Sequence, residues 1–282
     1  MGRLCKFYGI TPQTHYQALR HGRLKDQASD VVVKLVRKIR KRHPRMGTRK
    51  LLQELRPSMQ RAGIKMGRDR LFALLRSKSM LVQHRRRKRR TTYAGWWRCE
   101  DLLKGTTISA VNQAWVSDIT YLDSDEGASY LSLITDVHSR YIVGYNVSRS
   151  LSADGALAAL KMACQTKYAT QAKTVVSTKT VETIHHSDRG VQYTCLAYRQ
   201  KLEQNGMKSS MGEAGNCYDN AIAERVNGIL KQEYALGDRF QNHSQIEGAV
   251  RQAIWLYNHE RPHLSLGYCK PVQVYLKSSI KV

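Results

Sequence analysis

Short runs of β-branched and aromatic residues, spaced by helical stretches, fill the chain beyond residue 112 and constrain its fold most strongly. Three such runs predict consecutive strands at residues 115–122, 130–137 and 141–147. The pattern then predicts a helix over 152–164, a strand over 181–188, a helix over 195–204, a strand over 207–211 and a final helix. This order predicts an α/β fold, in which a mixed five-stranded sheet is flanked by helices.

The charge of the chain is large and unevenly distributed. The 282 residues carry 47 Lys and Arg against 22 Asp and Glu, a net charge of +25. Residues 1–105 hold 29 basic and 6 acidic residues, a net +23, whereas residues 106–282 hold 18 and 16, a net +2. Such a basic front indicates a polyanionic partner, for which nucleic acid fits better than an anionic membrane surface.

Three short amphipathic helices are predicted in the basic front. The first begins at Ser29 and ends before Pro44, the second starts at Gly47-Thr48, and the third follows Gly67. The order is typical of a small all-α helix-turn-helix-type domain, although a helical bundle with a solvated charged face would give the same periodicity. With the charge favouring DNA, the candidate contacts are Arg49, Lys50, Arg68 and Arg70.

A run of six basic residues follows this domain, and it consists of Arg85, Arg86, Arg87, Lys88, Arg89 and Arg90. Adjacent like charges repel one another unless a polyanion or counterions neutralise them, so we expect an extended linker along DNA phosphates; the alternative is a solvated linker. The predicted organisation is an N-terminal segment (1–27), a DNA-binding domain (28–80), a basic linker (81–110) and a core with C-terminal helices (111–275).

The cysteine spacing and the hydropathy indicate in which cellular compartment the protein works. The six cysteines are scattered without a C-x-x-C pair, which predicts reduced thiols and neither a zinc knuckle nor a disulfide framework. No apolar run reaches the roughly 18 residues that a membrane span needs. We therefore expect a soluble cytoplasmic protein with no membrane partner.

Three acidic residues occupy positions where a carboxylate could do chemistry. Asp118 lies within an apolar strand on the same face as Val116 and Thr120, and Asp188 ends a later strand. On the last predicted helix, Val226, Ile229 and Leu230 form a core stripe with Ile222, while a polar face holds Glu224, Asn227, Gly228 and Lys231. Taken singly, the acids could equally be a salt-bridged core residue, a turn residue and a solvated helix residue.

Several segments together resemble a known family. These are residues 112–121 (NQAWVSDITY), 185–193 (HHSDRGVQY), 215–221 (GNCYDNA) leading to Glu224, and the closing residues Tyr257-Asn258 and Arg261-Pro262-His263. Between Asp188 and Glu224 lie 35 residues, and Lys231 follows Glu224 by seven. The chain resembles the second-frame (OrfB-type) transposases of the IS-three family of bacterial insertion sequences, which have a retroviral-integrase-like, ribonuclease-H-like core.

The resemblance implies a chemistry. Asp118, Asp188 and Glu224 would be both the catalytic residues and the ligands of divalent metal ions. Oxygen-only ligation suits Mg²⁺, with Mn²⁺ as a plausible substitute, and neither zinc nor a nucleotide is expected. Water would cut one strand at an element end, and the freed 3′-hydroxyl would attack another phosphodiester bond. In this family the first joining typically gives a circular intermediate.

The resemblance also implies partners and further contacts. The partners would be double-stranded DNA, as terminal repeats and as target, an upstream-frame OrfA-type protein and further copies of the chain, at the bacterial nucleoid. Lys231, Arg225, Arg189 and Arg261 are the DNA-contact candidates in the core. The chain departs from many family members at Arg225, Val226 and Asn227, which follow the catalytic Glu.

Competing interpretations exist for the histidines and for the activity. Residues 259–263 (HERPH) match the H-E-x-x-H pattern of zinc proteases, but Pro262 should break the helix that this site requires. His185 and His186 are adjacent in a strand and should point to opposite faces, so we expect one to be packed and the other near the acids. A nuclease without strand transfer and a catalytically dead DNA-binding regulator remain alternatives.

Overall fold

The computed structural model describes residues 2–9, 11–82, 96–171, 182–212 and 221–277. The chain forms two compact units, Met1–Gln83 and His84–Val282, each with its own core. The basic run from Arg85 to Arg90, the motif residues 215–220 and the predicted strand start at Val181 lie outside the described residues.

The first unit is helical. It contains α1 (Gly2–Phe7), α2 (Pro12–Arg42), α3 (Thr48–Arg61) and α4 (Arg68–Ser77). Residues from α2, α3 and α4 share one apolar core, formed by Val32, Val36, Leu51, Leu55, Met59, Leu71 and Leu75 with Met46 and Met66. The helices that begin at Thr48 and Arg68 lie where the sequence predicts them.

The α2 helix is much longer than the sequence analysis predicts, because it begins at Pro12 and not at Ser29. Its start is well defined: the Thr11 hydroxyl accepts a hydrogen bond from the Thr14 amide at 3.1 Å, and Pro12 occupies the first turn. The first turns are polar and exposed, so they lack the apolar periodicity by which a helix is recognised. The predicted boundary at residue 27 therefore falls inside a continuous helix.

The second unit is built on a five-stranded mixed sheet. The strands are β1 (Ala114–Ser124), β2 (Gly127–Asp136), β3 (Ile142–Ser148), β4 (Thr183–Ser187) and β5 (Met207–Met211). They lie in the order β3-β2-β1-β4-β5; β1, β2 and β3 are antiparallel, whereas β4 and β5 run parallel to β1. This is the mixed α/β sheet that the sequence predicts.

Helices cover both faces of the sheet. They are α5 (Ala153–Gln171), α6 (Val191–Thr194), α7 (Leu196–Gln204), α8 (Ala221–Glu233), α9 (His243–His259) and α10 (Pro271–Lys277), with a 3₁₀ turn at Leu264–Leu266. Alternate strand residues divide between two cores: Ile134 and Val143 pack with α5, while Leu133 and Ile142 pack with α8 and α9. The predicted helix over 195–204 is preceded by a separate short helix, α6.

The contact between β3 and α5 is unusually close at Gly144. A Cβ atom built on Gly144 would lie 2.7 Å from the backbone nitrogen of Ala163 and would also overlap the Ala159 carbonyl oxygen. Any side chain larger than hydrogen would therefore force the helix away from the sheet.

The end of the predicted linker already belongs to the second unit. The Met211 amide donates to the Glu100 carbonyl at 3.3 Å, the Leu102 amide donates to the Ser210 hydroxyl at 2.8 Å, and the Arg199 guanidinium lies over the Trp97 ring. Residues 97–102 therefore lie against β5 and α7, although the sequence analysis places them in the linker.

Several residues of the family-like segments are structural. The Asn112 side-chain oxygen accepts hydrogen bonds from the Trp115 indole at 3.1 Å and the Tyr275 hydroxyl at 3.0 Å. Asn258 bonds both the amide and the carbonyl of Ile142. These contacts attach the start of β1 to α10 and the start of β3 to α9. Within the described ranges, no helix is long and apolar enough to cross a membrane.

Candidate catalytic site

The parallel pairing of β1 and β4 brings Asp118 and Asp188 side by side. Val116 lies opposite His186 in this pairing, and each Asp follows two residues later along the chain. The β4 strand ends at Ser187, whereas β1 continues to Ser124. Both carboxylates therefore lie where the sheet opens, and Asp118 is on the face that packs against α8.

The third acid is carried by α8. Glu224 lies in the first turn of this helix and is exposed. Val226, Ile229 and Leu230 are buried as the helical angles predict, together with Ala223, while Ile222 is half-buried. This buried stripe fixes the rotation of α8, and Asn227 and Lys231 at its edge reach residues of β1.

Direct hydrogen bonds hold the two aspartates. The Asn227 side-chain nitrogen donates to Oδ2 of Asp118 at 2.6 Å, and the Ile119 amide donates to Oδ1 at 2.9 Å. Oδ1 of Asp188 accepts a hydrogen bond from the Gly190 amide at 2.9 Å. The first of these bonds joins α8, the helix of Glu224, directly to Asp118.

The electrostatics of the site favour a cation. Burial raises the pKa of Asp118 to about 7, and the charges of Asp188 and, more weakly, Glu224 act in the same direction. The hydrogen bonds from Asn227 and Ile119 oppose this shift. Repulsion among the three carboxylates disappears when a divalent cation neutralises them, and all the donors are the hard oxygen ligands that Mg²⁺ prefers.

The three acids share this electrostatic environment without forming a closed ligand cage. In the part of the chain that the structure describes, no group of three or more His, Cys, Asp or Glu side chains lies close enough together to hold an ion. The carboxylate pair at the end of β4 and the carboxylate on α8 come from separate elements.

Lys231 lies beside the carboxylates. Its Nζ is 4.6 Å from the centre of the Tyr121 ring, a cation–π contact between α8 and β1. Burial lowers the pKa of Lys231, while the charges of Asp118 and Asp123 oppose the shift. Lys231 thus reaches β1 from α8; the helical angles place it only on the polar side of the helix, with Glu224.

The remaining DNA-contact candidates differ in accessibility. Arg225 is exposed beside Glu224, and the half-buried Arg189 donates to the Gly212 carbonyl at 3.0 Å. In the helical unit Arg49, Arg68 and Arg70 are exposed and Lys50 is half-buried; Arg68 also forms a 2.8 Å ion pair with Asp69. The candidates from Arg85 to Arg90 lie outside the described residues.

Arg261 is not available to DNA, which corrects the sequence-based assignment. Its side chain is buried, with the whole residue 1% exposed, and its guanidinium bonds both oxygens of Glu233 at 2.8 and 2.9 Å. A two-pronged ion pair with a carboxylate satisfies the charge inside the protein. Arg261 therefore fastens the last residue of α8 to the segment that follows α9.

The histidine motifs have structural roles. The α9 helix ends at His259, so His259 and His263 do not lie on one helix, as Pro262 predicts. His259 stacks on Trp255, and His263 is hydrogen-bonded to the Tyr257 hydroxyl at 3.0 Å. This geometry does not match the H-E-x-x-H zinc site.

His185 and His186 are both buried, whereas the sequence predicts one packed and one near the acids. Nε2 of His185 is hydrogen-bonded to Ser117 at 2.7 Å and to Tyr198 at 3.0 Å. Nδ1 of His186 is hydrogen-bonded to Ser210 at 2.9 Å. The two side chains therefore take part in separate polar networks of the core.

The sequence analysis missed the part that Asn227 plays in the site. It places Asn227 on the polar side of α8 with Glu224 but assigns it no contact. The signal that could have identified it is its spacing, because three residues after Glu224 is one helical turn, on the side that faces the strand of Asp118.

Comparisons with known proteins agree with this architecture. The chain matches the family described as Integrase core domain over residues 109–217, and a second integrase core domain family over residues 205–271. It is 35% identical to the insertion element IS600 uncharacterized 31 kDa protein of Shigella sonnei, over 95% of this chain and 96% of that protein.

A second relative is named as a transposase. The chain is 30% identical to the transposase for insertion sequence element IS629 of Shigella sonnei, over 97% of this chain and 90% of that protein. Among solved structures, the HTLV-2 integrase catalytic core domain in complex with magnesium aligns with a TM-score of 0.41 and 16% identity, covering 58% of this chain and 96% of that one.

Proposed function

The chain belongs to the IS-three family of bacterial insertion-sequence transposases, OrfB type, and from this premise we propose that Asp118, Asp188 and Glu224 are its catalytic carboxylates. Members of this family are polynucleotidyl transferases that cut and rejoin DNA. The observation that carries the residue assignment is the pairing of β1 with β4, because it brings Asp118 beside Asp188 where the sheet opens.

Integrase-type cores use divalent metal ions, and here we propose Mg²⁺, with Mn²⁺ as a substitute. Asp118, together with Asp188 and Glu224, would hold the ions. A bound pair of such ions supplies activation of the attacking oxygen and stabilisation of the leaving oxygen. The fit rests on the hard oxygen donors and on the repulsion that raises the pKa of Asp118.

The reaction has two steps in this proposal. Water attacks a phosphodiester bond at the element end, the phosphorus–3′-oxygen bond breaks, and the 3′-oxygen leaves as a hydroxyl group. That hydroxyl then attacks a second phosphodiester bond, so one bond forms as another breaks and no covalent enzyme intermediate is needed. Lys231, held over Tyr121 beside Asp118, would bind a phosphate next to the cut.

The helical unit would supply the sequence-independent grip on DNA. Exposed Arg49, Arg68 and Arg70, with Lys50, lie on helices that share one apolar core. In the second unit, Arg225 and Arg189 would contact DNA near the acids. The DNA would be the terminal repeats of the element and its target. Since DNA is the substrate, we place the activity at the bacterial nucleoid.

The family acts as multimers on DNA, and we propose the same for this chain. An upstream-frame OrfA-type protein is the second proposed partner, acting either as a separate chain or as a frameshifted fusion. The first joining would link one end of the element to the strand beside its other end and give a circular intermediate.

The test uses the full chain and labelled DNA carrying an element end, supplied both intact and already cut. Asp118→Asn, Asp188→Asn and Glu224→Gln should each abolish cleavage and joining but bind the end with nearly wild-type affinity. The control variant Asp125→Asn alters an exposed carboxylate, paired with Arg239, and should keep both activities. Strand transfer by any of the three variants would refute the assignment.

The already-cut end separates this function from its alternatives. A transposase joins it to target DNA, a nuclease without strand transfer cuts the intact end but leaves the cut end unjoined, and a dead regulator binds both without reaction. Gel analysis with Mg²⁺ or Mn²⁺ in the buffer reads all three outcomes.

A further inference from the structure

Asn227 is an unusual residue for the surface of α8 that faces the acids. It is only 6% exposed, although it lies one turn from the exposed Glu224 and on the same polar side of the helix. A buried carboxamide is tolerated when both of its ends are hydrogen-bonded, because an unsatisfied end has lost its contact with water and gained nothing in exchange. We therefore ask which groups are hydrogen-bonded to the side-chain nitrogen and oxygen of Asn227.

Only one end of this carboxamide is satisfied. The nitrogen donates to Oδ2 of Asp118 at 2.6 Å, while the oxygen is buried and has no hydrogen-bond partner among the described residues. Because the nitrogen and the oxygen share one carbon atom, the unpartnered oxygen lies within a few ångströms of the Asp118 carboxyl group.

A second buried polar group, in the core on the α5 side of the sheet, is influenced by the charge of the same carboxylates. The hydroxyl of Tyr193, a residue 2% exposed, likewise has no hydrogen-bond partner within the described ranges. Burial raises the pKa of Tyr193 well above its ordinary value, and the charges of Tyr198, Asp118 and Asp188 add to the shift. The unpartnered oxygen of Asn227, on the α8 side of the sheet next to the Asp118 carboxyl group, is thus an acceptor that a cation could satisfy.

We infer that Asn227 belongs to the divalent-cation site itself: its nitrogen holds one oxygen of Asp118 in place, and its oxygen is a fourth oxygen donor toward the cation. Amide oxygens are ordinary ligands of hard cations, and the NH₂ group orients the neighbouring carboxylate at the same time. This inference rests on the proposed function, since it requires a cation at Asp118.

The two roles of the amide predict different outcomes for two substitutions. Asn227→Ala removes both the donor and the oxygen, whereas Asn227→Asp removes the donor but keeps an oxygen of the same reach and adds a negative charge. Both variants lose the N–H group, and the added charge of Asn227→Asp attracts a cation whatever the role of the oxygen. The deciding variant is therefore Asn227→Ala: the loss of a ligand weakens Mn²⁺ binding, whereas the loss of the contact between α8 and β1 alone should lower the melting temperature and leave the Mn²⁺ affinity nearly unchanged.

The experiment measures Mn²⁺ binding to the full chain without DNA, by the electron paramagnetic resonance signal of free Mn²⁺. We expect Asn227→Ala to weaken Mn²⁺ binding by about 10–100-fold and Asn227→Asp to bind at least as tightly as the wild type. Equal weakening in both variants, or unchanged binding in Asn227→Ala, would overturn the inference.

A matched control separates this effect from reduced stability. Asn258→Ala removes another buried carboxamide, which is satisfied at both ends by Ile142, so it should lower the melting temperature but leave Mn²⁺ affinity unchanged. Circular dichroism in EDTA establishes the fold of each variant beforehand. If Asn227→Ala does not fold, Asn227→Ser also removes the amide oxygen, and the same weakening is expected of it.

Asp188→Asn distinguishes the failure of this inference from the failure of the proposed function. If the wild type and Asp188→Asn bind Mn²⁺ equally, the acids hold no cation, and both the function and the inference are overturned. If Asp188→Asn loses binding but Asn227→Ala does not, the proposed carboxylate site stands and only the role of Asn227 is wrong.

Discussion

Asp118 is held in an environment that suits a bound cation better than a free carboxylate. Burial and the neighbouring charges of Asp188 and Glu224 raise its pKa to about 7, against an ordinary value of 3.8. Between these two pH values the folded protein binds a proton that the unfolded chain does not. The contribution of Asp118 to the stability of the metal-free protein therefore falls as the pH rises from about 4 to about 7, with the full penalty present above pH 7.

Asp118→Asn should remove the loss of stability that the ionised Asp118 carboxylate causes. In EDTA at pH 8 we expect its free energy of unfolding to exceed that of the wild type by about 2–4 kcal/mol, since one pKa unit corresponds to about 1.4 kcal/mol. The difference should shrink steadily as the pH falls to 4. Urea unfolding across this pH range measures it, with Asp125→Asn as an exposed control that should show little change. A difference that grows at low pH would contradict the assignment of the pKa.

The α8 helix is held in place by contacts near both of its ends. Asn227 joins its first half to Asp118, and the Glu233–Arg261 ion pair fastens its last residue. Between them, Val226, Ile229 and Leu230 pack into the core shared with α9. The orientation of Glu224 therefore depends on contacts that are far apart along the chain.

Removing one partner of the buried ion pair should destabilise the fold. Arg261→Ala leaves Glu233 largely buried without its cation, and we expect a decrease of about 3–5 kcal/mol in the free energy of unfolding. The exposed pair Arg239–Asp125, at 2.6 Å, is the matched control, and Arg239→Ala should cost no more than about 1 kcal/mol. Chemical denaturation compares the two; equal decreases would place Arg261 at the surface.

The elements themselves were largely predictable, for identifiable reasons. Runs of β-branched and aromatic residues mark β1 to β3, and the 35-residue spacing between Asp188 and Glu224 resembles that of the family. The sequence could not predict the tertiary partners of charged residues. Arg261 follows a helix and looks like a surface charge, and only the structure shows that it is paired with Glu233. The first half of α2 has no apolar stripe, and its start is marked only by Thr11 and Pro12.

The net positive charge of the molecule lies almost entirely in the front part of the chain. Residues 1–105 carry a net +23 and residues 106–282 a net +2, so the electrostatic attraction for DNA resides mainly in the front of the chain. With 6–10 phosphate contacts, binding to an element end should weaken by about 10³–10⁵-fold between 50 and 200 mM salt. A flat salt dependence would argue against the helical unit as the main DNA contact.

The double variant Arg68→Ala, Arg70→Ala tests the helical unit directly. Removing one phosphate interaction should reduce the slope of log affinity against log salt by about 0.9, so for two arginines we expect a decrease of nearly 2. Fluorescence anisotropy with a labelled element end measures the slope. Arg239→Ala, an exposed arginine of the second unit, should leave it unchanged; an equal decrease there would point to a nonspecific effect of net charge.

The glycine at position 144 has a consequence for how this enzyme can rearrange on its substrate. Since the α5 backbone rests on that residue with no side chain between them, we expect β3 and α5 to move together. On the other face, the Asn227–Asp118 bond and the Glu233–Arg261 pair hold α8 in place. We therefore expect DNA to meet acidic residues whose supporting helices are already positioned on both faces of the sheet.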